Sequence, residues 1–279
     1  MVIKELLKKA TMILKESETD TAALDASVIL EFVLKCDRTQ LIIDSNKEVS
    51  CDIEEQYMNL IDKRKNNMPV SYITNKREFM SLDFVVDENV LIPRPDTEEL
   101  VMHVINSNAV KNSVLDLCCG SGCVGISIAH YCDVKRVDFA DISDGALKVA
   151  KINAKNILNK ECKSSFLNID VLNQTIDKKY DIIASNPPYV RRDIIKDLDK
   201  TVSCYEPHIA LDGGEDGLDF YKRIVFYYKD NLKVSGMLAF EVGFDQAQAV
   251  CEMMKENGFR DIQTAYDLGG ICRVVSGRV

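Results

Sequence analysis

The amino-acid sequence predicts an α/β protein in which a small helical bundle precedes a three-layer domain built on a mostly parallel sheet. Three observations lead to this prediction. Residues 1–67 contain no glycine and show helical hydrophobic periodicity, residues beyond 96 alternate apolar strands with helices, and 279 residues suit about two domains. Strand–helix alternation is typical of a parallel sheet that helices cover on both faces.

Composition indicates an ordinary globular chain. Apolar residues make up 46% and charged residues 28%, and no apolar run reaches the roughly 18 residues that a membrane span needs. Lysines interrupt the first apolar segment, so it does not resemble a secretory signal, and we expect a cytoplasmic protein without membrane contact. The net charge of −9 disfavours broad nucleic-acid binding.

The ten cysteines are scattered and include no Cys-x2-Cys pair, which predicts free thiols and no bound metal. The three histidines show no pairing with possible catalytic partners. We interpret them as structural or exposed residues; they are His103, His130 and His208.

The N-terminal elements are predicted to be helices. Apolar residues recur at helical spacing over 3–14, and further helices are expected over 21–35 and 52–65. Two short strands are then expected over 79–86 and 89–92, on either side of Asp87-Glu88. These patterns predict three regions, which are a helical domain over 1–67, a hairpin linker over 68–95 and an α/β domain over 96–279.

The third region is predicted to begin with a helix over 97–105 and to contain seven strands. The expected strands are 114–118, 136–140, 165–169, 181–185, 236–242, 261–266 and 272–276. The expected helices between them are 122–131, 145–158, 217–231 and 245–257.

A glycine-rich loop follows the first of these strands. Gly120, Gly122 and Gly125 form a G-x-G-x-x-G pattern before a helix, and Asp141 ends the next strand, where a carboxylate can accept ribose hydroxyls. A dinucleotide-dependent dehydrogenase and an S-adenosyl-L-methionine (SAM) methyltransferase would both use these parts. A tight strand-to-helix turn without a ligand is the third interpretation.

The sequence Asn-Pro-Pro-Tyr at 186–189 ends the fourth strand and favours the methyltransferase. Two prolines stiffen the turn, so the side chain of Asn186 and the carbonyl of Pro187 can accept both hydrogens of a planar NH2 group. Such a grip can aim the nitrogen lone pair at a SAM methyl group, which makes orientation and polarisation the basis of catalysis. An ordinary Asn-Pro turn is the alternative interpretation.

The chain resembles the release factor glutamine methyltransferases. Asn-Pro-Pro-Tyr marks methyltransferases that act on amino groups, and three further segments are similar to this family in particular. They are 69–79 (Pro-Val-Ser-Tyr-Ile-Thr, then Arg-Glu-Phe), 90–98 (Val-Leu-Ile-Pro-Arg-Pro-Asp-Thr-Glu) and 206–218 (Glu-Pro, then Ala-Leu-Asp-Gly-Gly-Glu-Asp-Gly-Leu).

The resemblance implies a Rossmann-like SAM-dependent methyltransferase domain with a seven-stranded sheet. It also implies that the enzyme methylates N5 of the glutamine in the Gly-Gly-Gln motif of class 1 peptide chain release factors, leaving S-adenosyl-L-homocysteine. We expect a monomer whose N-terminal helices dock the protein substrate, because all cofactor and catalytic motifs lie beyond Val90. Methylation of a ribosomal-protein glutamine, nucleic-acid N6-adenine methylation and a SAM-binding regulator without turnover are the alternative functions.

Carried over by position, the resemblance assigns two sets of site residues. Substrate glutamine is expected at Asn186, Pro187, Pro188 and Tyr189, with Asn186 and Pro187 catalytic. SAM is expected at Cys118, Cys119, Gly120, Ser121, Gly122, Asp141, Val171 and Asn186.

Two positions depart from the family pattern, since Cys118 replaces the first glycine of the loop and Asn75 replaces a linker glycine. The roles of five further residues stay open between site and structure. They are Arg94, Glu98, Gly213, Gly214 and Glu241.

Overall fold

The computed structural model describes residues 1–17 and 19–279 and divides the chain into two compact units. The helical unit comprises Met1–Lys76 and Asp199–Tyr205. The sheet unit comprises Arg77–Leu198 and Glu206–Val279. A short segment that follows the fourth sheet strand therefore belongs to the helical unit, although its sequence lies far from the N-terminal helices.

Within the described residues the chain forms eleven α-helices and nine β-strands. The helices are α1 Ile3–Glu16, α2 Ala22–Leu34, α3 Arg38–Ile43, α4 Cys51–Lys65, α5 Val70–Thr74, α6 Thr97–Asn106, α7 Cys123–Tyr131, α8 Asp144–Ile157, α9 Lys200–Ser203, α10 Asp219–Tyr227 and α11 Ala247–Glu256. The strands are β1 Lys76–Phe79, β2 Leu82–Val85, β3 Ser113–Leu117, β4 Arg136–Asp141, β5 Lys163–Asn168, β6 Tyr180–Ser185, β7 Leu232–Glu241, β8 Arg260–Tyr266 and β9 Cys272–Arg278. Short 3₁₀ helices occupy Arg192–Asp197, His208–Ala210 and Tyr228–Asn231.

The helical unit is held by an apolar core and by a buried ion pair. Leu6, Ala10 and Leu14 lie on one face of α1 and are fully buried, as their spacing of four residues predicts. In the same unit, the Nε of Arg64 lies 2.6 Å from the Oδ2 of Asp25, which joins α4 to α2. Removing one partner of such a pair would leave an uncompensated charge, so the pair specifies how these helices meet.

The sheet unit is organised around a seven-stranded sheet in the order β5-β4-β3-β6-β7-β9-β8. The first five strands are parallel, and β9 runs antiparallel to both of its neighbours. The predicted α/β class with a seven-stranded, mostly parallel sheet is confirmed.

Helices cover both faces of this sheet because its strands are apolar on both sides. Val114 packs into one buried cluster and Leu115 into the other, as alternation along a strand requires. The chain proceeds outward from β3 to β4 and β5 and then returns to β6 on the other side of β3. The reversal between β3 and β6 creates a crevice at the carboxyl ends of these strands, where ligands of open α/β sheets bind.

The strands expected over 79–86 and 89–92 are wrongly placed. The hairpin consists of β1 and β2, and its turn lies at Met80 and Ser81, which have φ angles of 51° and 56°. Two consecutive positive φ angles are typical of a tight hairpin turn that favours Asn-Gly, so the Met-Ser sequence gives no signal of it. The second expected strand is irregular, because Asn89 lies in a turn in which the N–H of Val90 donates to the carbonyl of Asp87 at 3.1 Å.

Across residues 1–17 and 19–279, no helix combines the length and the apolar character needed to cross a membrane.

Candidate active site

Three segments expected to form the site meet where β3, β4 and β6 end. Leu117 of β3 pairs with Ala140 of β4 on one side and with Ser185 of β6 on the other. The residues that follow these strands are therefore neighbours at one edge of the sheet. This register brings Cys118, Asp141 and Asn186 together, although up to 68 residues separate them in sequence.

The loop after β3 turns sharply by means of left-handed backbone conformations. Cys118, Gly120 and Gly122 have φ angles of 56°, 51° and 78°. A Cβ at Gly120 would meet no atom within 4 Å, whereas a Cβ at Gly122 would lie 3.1–3.3 Å from neighbouring side chains. Gly120 thus leaves open space for a ligand to approach the backbone, and Gly122 allows α7 to pack closely on the sheet.

Asp141 fixes the shape of this loop while retaining capacity for a ligand. Its Oδ2 accepts the N–H of Gly120 and its Oδ1 accepts the N–H of Ser143, both at 2.9 Å. Burial raises the pKa of the carboxyl, and hydrogen bonds from the backbone N–H groups of Ser143, Gly120 and Ile142 oppose that rise. Each oxygen of a carboxylate has two lone-pair directions, so each can accept one further hydroxyl.

The third glycine of the pattern has a structural role. The N–H of Gly125 donates to the Oδ2 of the buried Asp116 at 2.8 Å, and a Cβ there would lie 2.9 Å from both Asp116 and Phe139. Burial raises the pKa of Asp116 well above its ordinary value. The strand–helix packing at this point therefore requires glycine, independently of any ligand.

A cavity of about 370 Å³ opens at this edge of the sheet. Its size is within the range of small-molecule sites. Among the residues that the sequence assigned to a site, eight line it. These are Cys118, Cys119, Gly120, Ser121, Asp141, Val171, Asn186 and Pro188.

The remaining three assigned residues, Gly122, Pro187 and Tyr189, do not contribute to the cavity wall. Pro187 is buried, and Tyr189 is only partly exposed. The hydroxyl of Tyr189 lies 3.4 Å from the Oε1 of Glu241, behind the turn. Burial strongly raises the pKa of Tyr189, so its phenol stays protonated and acts as a donor.

The turn at 186–189 is fixed by polar contacts on both of its ends. The Nδ2 of Asn186 donates to the Oγ1 of Thr97, the first residue of α6, at 3.2 Å. At the other end, the Nε2 of Gln246 donates to the carbonyl of Tyr189 at 3.0 Å. Because this contact uses one hydrogen of Nδ2, the side chain of Asn186 keeps its Oδ1 and one N–H for other partners.

The segment at 211–217 packs directly on this turn and shows the role of Gly213, the first residue of the double glycine. The N–H of Val190 donates to the carbonyl of Leu211, and the N–H of Gly213 donates back to the carbonyl of Val190, both at 2.9 Å. A Cβ at Gly213 would lie 2.7 Å from the Cα of Tyr189. Any side chain at this position would therefore displace the turn.

Arg94 and Glu98 take different positions. Arg94 lines the cavity, and its Nη2 lies 2.5 Å from the Oε1 of Glu206, whose other oxygen accepts the N–H of Ile92. Glu98 instead accepts the N–H of Met80 in the hairpin turn. The Arg94 pair thus joins the segment before α6 to the segment at 206–218, while Glu98 supports the hairpin.

Sequence reasoning missed part of the cavity wall. Four of the missed residues lie within two positions of Asp141 or Val171, which the sequence had assigned to the site. Their place just after a strand could have indicated them; they are Ile142, Ser143, Asp170 and Leu172. Others belong to the 3₁₀ segment His208–Ala210, where His208 is exposed on the cavity wall. Neither periodicity nor spacing could place that segment, because it reaches the site only through the packing of 211–217 on the turn.

The thiols at the cavity are not activated nucleophiles. Burial raises the pKa of Cys118 and Cys119 well above the ordinary value, and it raises the pKa of Cys123 to about 12. All three are therefore protonated at neutral pH, while thiolates are the reactive form of cysteine.

Comparison with known proteins defines the class to which this fold and site belong. The family described as "Methyltransferase small domain" matches residues 95–201, and the family described as "PrmC N-terminal domain" matches residues 5–74. A methyltransferase structure from Pyrococcus furiosus covers 72% of this chain and 90% of its own, with a TM-score of 0.54 at 15% identity, which is a likeness of fold. The sheet unit is a methyltransferase domain.

Two relatives identify the family. The release factor glutamine methyltransferase of Clostridium acetobutylicum is 45% identical over 99% of this chain and 98% of its own. That of Clostridium botulinum is 39% identical over 100% of this chain and 99% of its own. The chain therefore belongs to the release factor glutamine methyltransferase family, as its motifs predicted.

Replacing Cys118 with glycine is expected to stabilise the protein relative to alanine at the same position. Both substitutions remove the thiol, but only glycine adopts a φ of 56° without steric cost. The free energy of unfolding, measured in urea, should be about 1 kcal/mol higher for Cys118→Gly than for Cys118→Ala. Equal stability of the two variants would show that this backbone position is not strained.

Proposed function

We propose that this protein transfers a methyl group from SAM to N5 of the glutamine in the Gly-Gly-Gln motif of class 1 peptide chain release factors. The observation that carries the proposal is the Asn-Pro-Pro-Tyr turn beside the cavity, in a chain 45% identical to a release factor glutamine methyltransferase. The substrate acts in translation, so the proposed place of action is the cytoplasm.

The cavity fits SAM, which supplies an electrophilic methyl group when bound. Gly120 offers open space beside the backbone, and Asp141 can accept ribose hydroxyls with the lone pairs that its backbone donors leave. We assign SAM binding to the loop residues that line the cavity and to the residues at the neighbouring strand ends. Gly122 does not line the cavity and shapes the turn of the loop. The residues are Cys118, Cys119, Gly120, Ser121, Asp141, Val171 and Asn186.

The turn at 186–189 would hold the substrate amide. The Oδ1 of Asn186 accepts one N–H of the glutamine, and the carbonyl of Pro187 accepts the other. Two acceptors in fixed positions orient the nitrogen and favour the geometry in which its lone pair is available. Pro188 forms part of the wall around the substrate, and Tyr189 supports the turn from behind.

No strong base is assigned to this reaction. Asp141 is held by two backbone donors, and the phenol of Tyr189 is protonated. We further propose that the enzyme works as a monomer, without a metal and without direct contact to nucleic acid. In the described part of the chain, no three His, Cys, Asp or Glu side chains form a possible metal site, and the net charge of −9 is unfavourable for binding phosphates.

We assign docking of the release factor to the helical unit. Its residues 5–74 match a domain family of their own, and the residues proposed for the chemistry lie in the sheet unit. The end of α3 exposes two adjacent apolar side chains, Ile42 at 67% and Ile43 at 69%. Exposed large apolar side chains that lie together are typical of surfaces that bind another protein.

The function is tested by incubating the purified protein with SAM and a class 1 release factor and then sequencing the modified peptide by mass spectrometry. One methyl group should appear on the glutamine of Gly-Gly-Gln. Asn186→Ala should lower kcat by about 10²–10³ because one preorganised acceptor is lost.

Asp141→Asn is the matched control in this assay, since it should weaken SAM binding and leave the turn at 186–189 unchanged. Methylation of another residue or of a ribosomal protein in preference to the release factor would contradict the proposed substrate. A near wild-type kcat for Asn186→Ala at saturating SAM would contradict the proposed mechanism.

Replacing Ile42 and Ile43 together with serine should raise KM for the release factor by about tenfold or more. The reason is that burying one such side chain contributes about 1.5–3 kcal/mol. The SAM dissociation constant should stay unchanged. The control is Val234→Ser in the sheet unit, where the side chain is 97% exposed and no docking role is assigned. An unchanged KM in the double variant would remove this end of α3 from the docking surface.

A further inference from the structure

One wall of the cavity carries an arginine that has no part in holding the substrate amide. Arg94 lies in the connection between β2 and α6 and lines the cavity together with residues 89–91 and 93. Its side chain is 35% exposed. The described residues that line the cavity include one other arginine, Arg192, and no lysine. A guanidinium group at such a wall suits a ligand that carries a carboxylate or a phosphate.

A buried carboxylate fixes the position of this guanidinium. The Oε1 of Glu206 lies 2.5 Å from the Nη2 of Arg94, and the side chain of Glu206 is 1% exposed. The Oε2 of the same carboxylate accepts the N–H of Ile92 at 3.1 Å. Both oxygens of Glu206 therefore hold the segment 92–94. A guanidinium that is already fixed loses little rotamer freedom when it binds a ligand.

Most donors of the Arg94 guanidinium remain available. Apart from the contact with Glu206, the group makes no hydrogen bond to the described residues. Arginine carries N–H donors on all its guanidinium nitrogens in a fixed planar arrangement, and parallel N–H groups can bind both oxygens of a carboxylate. Because a buried ion pair contributes little net stability, the pair with Glu206 does not by itself explain an arginine at this wall.

Backbone and side-chain contacts place Arg94 beside the turn at 186–189. The N–H of Thr97 donates to the carbonyl of Arg94 at 3.1 Å, and the Oγ1 of Thr97 accepts the Nδ2 of Asn186 at 3.2 Å. In SAM, the methyl group and the amino-acid chain are attached to the same sulfur. If the methyl group faces Asn186, the amino-acid chain lies at the same end of the cavity, and its carboxylate is then within reach of Arg94.

We propose that Arg94, held by Glu206, binds the carboxylate in the methionine part of SAM. The inference rests on the proposed role of the cavity as the SAM site. SAM and S-adenosyl-L-homocysteine carry the same carboxylate, so Arg94 stabilises the bound state equally before and after methyl transfer. Such a contact raises the affinity for the cofactor and leaves the barrier to transfer unchanged.

The test is calorimetry in the absence of release factor, with two ligands. One is S-adenosyl-L-homocysteine, and the other is its decarboxylated analogue, which keeps the adenosine, the sulfur and the amino group. Arg94→Gln should weaken the binding of S-adenosyl-L-homocysteine by about tenfold or more, equivalent to about 1.4 kcal/mol, because a charge-assisted contact is lost. The dissociation constant of the decarboxylated analogue should not change.

A second variant covers the case in which Arg94→Gln does not fold, since that change leaves the charge of Glu206 buried without a partner. Arg94→Gln combined with Glu206→Gln removes both charges and should show the same loss for S-adenosyl-L-homocysteine alone. In release factor methylation, either variant should raise KM for SAM in parallel with this loss and should retain kcat at saturating SAM.

Arg192→Gln is the matched control, because it removes the same charge from the same cavity wall. The Nε of Arg192 is 2.8 Å from the Oδ2 of Asp212, and its side chain is 64% exposed. The affinity of Arg192→Gln for both ligands should equal that of the wild-type protein. An equal loss of S-adenosyl-L-homocysteine affinity in Arg192→Gln would show a general effect of charge and would overturn the inference.

Two further results would contradict the role of Arg94. They are an unchanged affinity for S-adenosyl-L-homocysteine in the folded Arg94 variants, and an equal loss of affinity for both ligands. Each of these would leave the SAM site in place, because the wild-type protein still binds S-adenosyl-L-homocysteine. Failure of the wild-type protein to bind that ligand would instead overturn the proposed SAM site, and the assignment of Arg94 with it.

Discussion

The close approach between the turn at 186–189 and the segment at 211–217 is the constraint on which the rest of the site depends. Gly213 lies so near the backbone of Tyr189 that a single added carbon would be 2.7 Å from its Cα. The two segments also exchange backbone hydrogen bonds through Val190. Two prolines stiffen the turn from within, and this contact stiffens it from outside. The turn can therefore present two acceptors in fixed directions, as the proposed mechanism requires.

The turn at 186–189 has different neighbours on its two sides. On the cavity side, the loop after β3 uses left-handed backbone and the carboxylate of Asp141 to shape a place for a cofactor. On the other side, the hydroxyl of Thr97 accepts the side-chain amide of Asn186, and Glu241 accepts the hydroxyl of Tyr189. Cys118 carries a side chain at a φ of 56°, a left-handed conformation that is strained for any residue except glycine.

The sheet and the residues at the ends of its strands were predictable from the sequence, because both depend on local patterns. Strand–helix alternation gave the sheet, and residues that end parallel strands had to meet at one edge, as Asp141 and Asn186 do. The hairpin turn was misplaced because Met80 and Ser81 adopt positive φ without the usual turn residues. The contact between Thr97 and Asn186 was not predictable, since α6 reaches that position through tertiary packing. The roles of Gly213 and Glu206 depend in the same way on segments distant in sequence.

The most direct test of this account is the kcat of Gly213→Ala for release factor methylation, measured together with its SAM dissociation constant. Gly269→Ala is the control, because its added Cβ would approach only the side chain of Asp267, at 3.1 Å. A rigidly held turn predicts that kcat falls by about 10²-fold in Gly213→Ala, as small displacements of reacting groups can cause, while SAM binding is retained. A wild-type kcat in a folded Gly213→Ala variant would contradict the claim that this contact sets the geometry of the turn.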